Sequence, residues 1–477
     1  MTSKGPGSAA EAGRVLLAEG GVYAIVEIAQ QGLTLLMLPV FFFFLSVEDF
    51  GVITSAVVIS QVTMFMSTLG LDFSLLRLYY VWKEDERGGL ATGILYISLI
   101  WSLIVGVAVV AVLAGISRGE GHRLSLAVGA WAGLALGIRN IPLSVVRVTG
   151  AMRVYATAEL VAAGTRAVLQ LFLVWSGLGA LGYMIGYASG PVVSTVLLLV
   201  ATGTALKSRR PRWMLDRNVW SYTWRILPSL AFNRFLMVAD RVALFGWSNL
   251  DGLGIYGAAA RFSTSLKLLT GGFKMAIAPA LSRTEPGGDD FGRVYASLSR
   301  LLLLTLLSAA SGVMLAVWFI QFTPWADRWV EVERLVGVLV LAQILGGFGM
   351  LWQLGFYYSP RPQAVSYATA ASAATLVASL LLLVPRLGVI GAAVAQVLAA
   401  GANLLVLARM SAREEGLFRA WGTLIGLTAL FVPAVAGMWI VDAAGQLMLL
   451  LPTFLLYVSI TTASLWKLRQ PGTALAR

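Results

Sequence analysis

The 477-residue sequence contains no cysteine, one histidine and few charged residues, which make up 12% of the chain. Without cysteine there are no disulfides, no thiolate catalysis and no cysteine metal sites. The histidine, His122, lies in the loop GEGHRL (119–124), where a solvated side chain is expected. No GxxxxGK[ST] phosphate-binding loop and no long external loop with paired acids occurs. We therefore predict neither an enzyme active site nor a cofactor.

The chain is instead rich in apolar residues, at 58% with a mean hydropathy of +0.82. A soluble domain has about 25% charged residues, whereas a membrane-spanning helix needs about 20 mostly apolar ones. These values predict an all-α polytopic membrane protein. Its 14 transmembrane helices are predicted near 16–45, 50–71, 90–114, 124–147, 154–176, 180–204, 220–247, 254–281, 298–321, 330–358, 363–384, 387–408, 419–441 and 446–466.

The basic residues sort by side of the membrane. The tails and even-numbered loops hold 22 Lys and Arg residues, including the cluster KSRRPRWMLDR (207–217), and the odd-numbered loops hold 5. Cytoplasmic loops carry the excess of Lys and Arg, so both termini are predicted to be cytoplasmic. The net charge of +12 is thereby explained without a nucleic-acid partner.

The sequence repeats itself weakly. LSVEDFGVITSA (45–56) parallels SNLDGLGIYGAA (248–259), and LGALGYMIGYA (178–188) parallels LGVIGAAVAQV (387–397), at offsets of 203 and 209. Such duplications are typical of transporters, with the substrate site between the halves. The predicted parts are a disordered cytoplasmic tail (1–14), an N-lobe of six spans (15–206), a basic cytoplasmic linker (207–219), a C-lobe of six spans (220–410), two appended spans (411–466) and a cytoplasmic tail (467–477).

This plan resembles a known family. LSVEDFGVITSA (45–56), GLDFSLLRLYY (70–80), ADRVALFGWSNLDGLGIY (239–256) and LGVIGAAVAQ (387–396) resemble patterns of the polysaccharide (Wzx-type) lipid-linked oligosaccharide flippases. These belong to the multidrug/oligosaccharidyl-lipid/polysaccharide exporter superfamily. The resemblance implies two six-helix lobes in a V shape plus two C-terminal helices, in a bacterial inner membrane. It also implies a central cavity lined by the first, second, seventh and eighth spans.

Charged residues inside the predicted spans point to a binding function. A charge at mid-bilayer costs about 2.5–3.5 kcal/mol on insertion scales, so such residues face a cavity or a partner. Among the charged residues inside the spans are eight basic and four acidic ones that carry the prediction. The basic ones are Arg139, Arg166, Arg225, Arg234, Arg241, Arg261, Lys267 and Lys274, and the acidic ones are Glu19, Glu27, Glu159 and Asp240.

Six of these cations lie on the hairpin formed by spans 7 and 8. Residues equally far from the turn lie at similar depth, which predicts a ladder with rungs Arg241–Arg261, Arg234–Lys267 and Arg225–Lys274. Snorkelling to the headgroups is the alternative for Arg225 and Lys274, and structural pairing is the alternative for the deeper cations. The candidate substrate-binding cations are Arg77, Arg166, Arg234, Arg241, Arg261, Lys267 and Lys274.

Polar residues line other predicted faces. Tyr23, Glu27, Gln30, Gln31 and Thr34 share one face of the first span, which is predicted to line the lumen together with Asn233 and Thr264. In the second span Ser60 and Ser67, and likewise Gln61 and Thr68, recur at seven residues. Either lumen lining or helix packing explains them. Glu159 is predicted to pair with Arg139, whereas Arg166 has no evident partner and Asp72 is isolated.

A cationic lumen favours an anionic substrate, because the planar guanidinium group binds two phosphate oxygens. The sequence thus predicts a flippase for undecaprenyl-diphosphate-linked oligosaccharide that works within the membrane lipid. An H⁺ or Na⁺ gradient is predicted to drive it, with Asp240 or Glu27 as the ion site. Polysaccharide polymerase or export proteins are the expected partners. The alternatives are a lipid II flippase, a cation-coupled multidrug exporter of the same superfamily and, less in keeping with the short loops, a membrane glycan polymerase.

Overall fold

The computed structural model describes residues 9–116, 120–206, 217–267, 269–271, 289–324, 326–357, 363–411 and 450–462. These residues are almost entirely helical. The helices of the first half are α1 (Ala9–Phe44), α2 (Val47–Thr68), α3 (Leu71–Leu78), α4 (Glu84–Ile116), α5 (Glu120–Val148), α6 (Met152–Leu173) and α7 (Gly179–Leu206), with a π-helical turn at Val174–Leu178. The later helices are α8 (Arg217–Trp247), α9 (Leu250–Thr264), α10 (Asp289–Trp318), α11 (Ala326–Tyr357), α12 (Gln363–Ser411) and α13 (Leu450–Thr462).

Eight helical segments of the described residues are long and apolar enough to cross a membrane. Two of them, Met152–Gly203 and Gln363–Met410, have 52 and 48 residues. Each is about twice the length of one crossing and is interrupted by a glycine with non-helical angles, so it contains two of the predicted spans. The protein is therefore a multi-pass helical membrane protein.

The predicted number of 14 spans is not confirmed. Predicted span 7, which is α8, falls outside the eight because Arg225, Arg234, Asp240 and Arg241 interrupt its apolar residues. Helix α9 has only 15 residues. Predicted span 13 lies outside the described residues, and α13 is a shorter apolar helix.

The chain forms two compact units, one of residues Ala18–Phe245 and one of Gly246–Arg477 with Met1–Leu17. In the first unit α5 packs against α2, α4 and α7, and α6 packs against α7. One apolar cluster there joins Leu71 and Leu75 of α3 to Ile141 of α5 and to Val219 at the start of α8. In the second unit α11 packs against α9, α10 and α12. The predicted lobe boundaries remain predictions.

Small residues bring α2 and α5 into close contact. A Cβ atom added at Gly133 or Gly137 of α5 would overlap Ser60 or Ser67 of α2, and both serines are buried, at 0% and 1% exposed. Stripes of small residues let the backbones of membrane helices approach. Of the two explanations open for Ser60 and Ser67, the structure therefore supports helix packing over lumen lining.

Polar side chains organise the turn that starts α2. Ser46 and Asp49 form a capping box in which Asp49 N donates to Ser46 Oγ at 3.0 Å and Ser46 N donates to Asp49 Oδ2 at 3.0 Å. The second oxygen of the carboxylate, Oδ1, accepts a bond from Ala180 N at 3.1 Å. Since Ala180 opens α7, one acid caps α2 and fixes the start of α7 beside it.

Candidate functional site

The polar stripe of α1 is bound to α6 rather than uniformly exposed. Gln30 Nε2 donates to Glu159 Oε2 at 3.0 Å, and Thr34 Oγ1 accepts from Arg166 Nη2 at 3.3 Å. About two helical turns before Gln30, the ring of Tyr23 packs edge-on against that of Tyr155, with centroids 4.5 Å apart. Three of the five residues of the predicted face, Tyr23, Gln30 and Thr34, thus contact α6.

Glu159 is the best-satisfied acid of this region. It is 4% exposed and accepts Ser194 Oγ at 2.7 Å in addition to Gln30. Arg139 Nε lies 3.5 Å from its Oε1 atom, which confirms the predicted ion pair. Its partners lie on three helices, α1, α5 and α7, and such pairing offsets the cost of burying a carboxylate.

A small cavity of about 40 Å³ lies beside this pair. Its lining includes Gln30, Arg139, Glu159, Arg166 and Tyr187. A volume of this size admits water but not a diphosphate group. The cavity is therefore too small to be the whole substrate site.

Two arginines of the first unit are held by neutral groups. Arg166 donates to the hydroxyl of Thr34, and Arg234 Nη1 donates to Gln61 Oε1 at 3.3 Å. Both are half-buried, and in the described part of the chain neither forms an ion pair. Because a neutral acceptor does not cancel a positive charge, both side chains can still attract an anion.

Arg241, another predicted cation of this unit, lies close to a carboxylate. Arg241 Nη1 lies 3.8 Å from Asp240 Oδ1 and donates to the backbone oxygen of Met237 at 3.2 Å. Asp240 is 4% exposed and also accepts the backbone N–H of Arg241. This carboxylate therefore offsets the charge of Arg241, its sequence neighbour.

Comparison with known proteins identifies the family. The model of the family described as "Polysaccharide biosynthesis protein" matches residues 16–285, which is more than half of the chain. The chain belongs to this family. The resemblance predicted from the sequence is thereby confirmed, and the matched region includes Arg166, Arg234 and Asp240. No functionally curated protein matches the sequence.

Solved structures share the fold of this family member. A lipid II flippase, MurJ, in an inward closed conformation has a TM-score of 0.68 at 13% identity, over 93% of this chain and 99% of that one. An inward-facing MATE family multidrug transporter of the MOP superfamily has a TM-score of 0.56 at 16% identity, over 82% and 98%. The MATE transporter DinF-BH has 0.57 at 14% identity, over 85% and 96%. At these identities the likeness shows the fold alone.

The remaining predicted residues of the first unit are exposed to different degrees. Glu27 is exposed and accepts Gln31 Nε2 at 2.7 Å. Asn233 is exposed on α8, and Arg77 is exposed in the last turn of α3. Their positions leave the predicted lumen role of Glu27, Gln31 and Asn233 as a prediction.

The second unit contains the rest of the predicted ladder. Thr264 Oγ1 donates to the backbone oxygen of Arg261 at 3.3 Å, and Lys267 is exposed. Lys274 lies outside the described residues. The ladder pairs residues of different units, so it remains a prediction.

Sequence reasoning missed Asp72, which was expected to be isolated. The carboxylate lies in the first turn of α3, and the guanidinium groups of Arg234 and Arg147 act on its charge. Arg147 belongs to α5 and Arg234 to α8, so neither is near Asp72 in sequence. Only the register of α8 along α2 and α3 brings these groups together, and no local pattern encodes that register.

Proposed function

We propose that this family member flips a polyprenyl-diphosphate-linked oligosaccharide, the undecaprenyl form, across a bacterial inner membrane by alternating access. The observation that carries the proposal is the pair Arg166 and Arg234. Each is half-buried, and each donates its hydrogen bond to a neutral acceptor. Such groups lower the free energy of an anion that would otherwise leave water for the bilayer core.

The chemistry of arginine supports a phosphate ligand in particular. Its planar guanidinium group donates to two oxygens of one phosphate, which a lysine ammonium group cannot do in the same geometry. A lipid-linked sugar carries its negative charge at the diphosphate between the polyprenyl tail and the glycan. In this proposal Arg166 and Arg234 bind the diphosphate, while the apolar tail stays in the membrane lipid.

A lipid II flippase is the second candidate. Its substrate is also a lipid diphosphate, so the same arginines would serve it, and the lipid II flippase MurJ shares this fold with a TM-score of 0.68. A multidrug exporter for organic cations fits the site less well, because unpaired arginines repel cations. The two lipid diphosphates share the diphosphate and the polyprenyl tail and differ in the group that the diphosphate carries.

Coupling to an ion gradient belongs to the same proposal. Asp240 and Glu27 remain the candidate H⁺ or Na⁺ sites, and both termini are placed in the cytoplasm. Asp240 is the more enclosed of the two. Polysaccharide polymerase and export proteins are the proposed partners, since a flipped repeat unit must be consumed on the far side.

The test is transport in proteoliposomes with a fluorescent undecaprenyl-diphosphate oligosaccharide, lipid II and a cationic dye assayed in parallel. We expect Arg166→Ala and Arg234→Ala to lower the transport rate about 10- to 100-fold, as expected for the loss of one charge-assisted bond to phosphate. Arg→Lys at either position should lose less. Arg153, exposed on the same helix as Arg166, provides the control Arg153→Ala, which should transport like the wild type.

The substrates separate the candidates. Faster flipping of the oligosaccharide than of lipid II supports the main proposal, and the reverse order supports the second candidate. Transport of the dye alone, or unchanged transport by both alanine variants, would contradict the proposal.

A further inference from the structure

Asp72 lies where α3 packs against α8. The left-handed residues Leu69 and Gly70, with φ of 48° and 79°, end α2 and start α3. A Cβ atom at Gly70 would lie 2.9 Å from Leu230 of α8, and Ser74 Oγ lies 2.7 Å from Thr223 Oγ1. These contacts fix the first turn of α3, and with it Asp72, against residues 223–230 of α8.

The carboxylate of Asp72 is only partly satisfied. Its Oδ1 atom is buried and has no hydrogen-bond partner in the described part of the chain. The charged groups of the described residues that act on it are Arg234 of α8 and Arg147 of α5. One carboxylate can offset at most one of these two positive charges.

Both guanidinium groups are held in place from other directions. Arg147 Cζ lies 5.8 Å from the ring centroids of Tyr23 and of Tyr155. Arg234 is anchored by its bond to Gln61 Oε1 at 3.3 Å. The arrangement therefore has fixed cations and an acid that pairs with neither closely enough to form an ion pair.

We propose that Asp72 is an internal competitor for the diphosphate: its carboxylate offsets part of the charge of Arg234, and the headgroup takes over that interaction when it binds. The inference rests on the proposed function and adds a specificity-determining residue to it. A diphosphate diester carries two negative charges and more acceptor oxygens than one carboxylate, so it displaces Asp72. A singly charged anion gains less from the exchange and is selected against.

Protonation of Asp72 should favour headgroup binding, as its displacement by the diphosphate does. Burial raises the pKa of the Asp72 carboxyl group, while Arg234 and Arg147 oppose that shift. As the pH falls, Asp72 therefore takes up its proton at a higher pH than an exposed aspartate does. The neutral acid no longer competes for Arg234, so headgroup binding is expected to tighten as the pH falls.

The experiment measures binding of a short-chain polyprenyl diphosphate sugar to the purified full chain in detergent. This probe is a diphosphate diester, whose charge stays fixed over the range used. We expect Asp72→Asn to tighten binding about 3- to 10-fold at pH 8 and the double variant Asp72→Asn/Arg234→Gln to lose that gain. Asp251 is the second residue of α9, as Asp72 is of α3, so Asp251→Asn is the matched control and should bind like the wild type.

The outcomes separate this inference from the proposed function. Binding by the wild type with equal or weaker binding by Asp72→Asn would overturn the inference alone. Absence of binding and of flipping by the wild type would overturn the proposed function, and the inference with it. If Asp72→Asn does not fold, the wild type decides: binding that tightens between pH 8 and pH 5 supports the inference, and binding that is flat over this range overturns it.

Discussion

Gly179 and Gly388 adopt nearly the same backbone conformation, with φ and ψ of 50° and −134° in Gly179 and of 56° and −129° in Gly388. The two glycines lie 209 positions apart, at matched places of the weak internal repeat. Each interrupts a helical segment of about twice the length of one crossing. Only glycine adopts such angles without strain. The two halves of the repeat therefore share a backbone kink at this position.

The kink makes Gly388→Ala the first prediction. No heavy atom lies within 4 Å of the added Cβ, so the cost is backbone strain alone, about 1–3 kcal/mol. We expect a lower midpoint of thermal unfolding in detergent. Gly401 of α12 is the control, because it is helical and its Cβ would also meet open space. Gly401→Ala should be neutral or slightly stabilising, and equal midpoints for the two variants would argue against strain at Gly388.

The kinks show what a single sequence can predict of the fold. Apolar runs predicted the helices, and the predicted span boundaries at 176/180 and 384/387 fall where the two long segments break. The full number of spans was harder to predict, because α8 carries four charged residues among its apolar ones, besides Arg217 at its start. Hydropathy alone does not distinguish such a helix from a polar segment.

Close packing of α2 and α5 gives the second prediction. Gly133→Ala places a methyl group against the backbone oxygen of Ser60, which a side-chain rotation cannot relieve. We expect a loss of about 1–3 kcal/mol, as for other overpacked sites. Gly164 of α6 has nothing within 4 Å of its added Cβ and serves as control. Thermal unfolding of both variants is the measurement, and an unchanged midpoint for Gly133→Ala would contradict close packing here.

The ion pair of Glu159 and Arg139 gives the third prediction. Replacing one partner leaves the other charge inside the protein, which costs up to about 3–5 kcal/mol for fully buried pairs and less here, since the Arg139 side chain is 21% exposed. We expect Glu159→Gln and Arg139→Gln each to lower stability. The double variant should lose less than the sum of the two, and a double-mutant cycle measures that difference. Additive losses would show that the two residues act independently.

The candidate site was predictable only where local spacing decides it. Four-residue spacing placed Gln30 and Thr34 on one face of α1, and the structure has them on one face. It did not reveal that this face binds Glu159 and Arg166 of α6, because the partner depends on long-range packing. The same limit applies to Asp72, whose cationic neighbours come from residues 147 and 234.

The pH dependence of stability gives the fourth prediction, at Asp72. Burial raises the pKa of this carboxyl group, whereas in the unfolded chain it has its ordinary value. Between the two values the folded protein binds the extra proton, so its stability rises as the pH falls through the raised pKa. The side chain of Asp72→Asn does not titrate, so this variant gains no stability on acidification. The difference between its thermal midpoint and that of the wild type should therefore be largest near neutral pH and should shrink as the pH approaches 5. Asp251→Asn should show no such trend. A difference between Asp72→Asn and wild type that stays constant over this range would show that Asp72 does not titrate there.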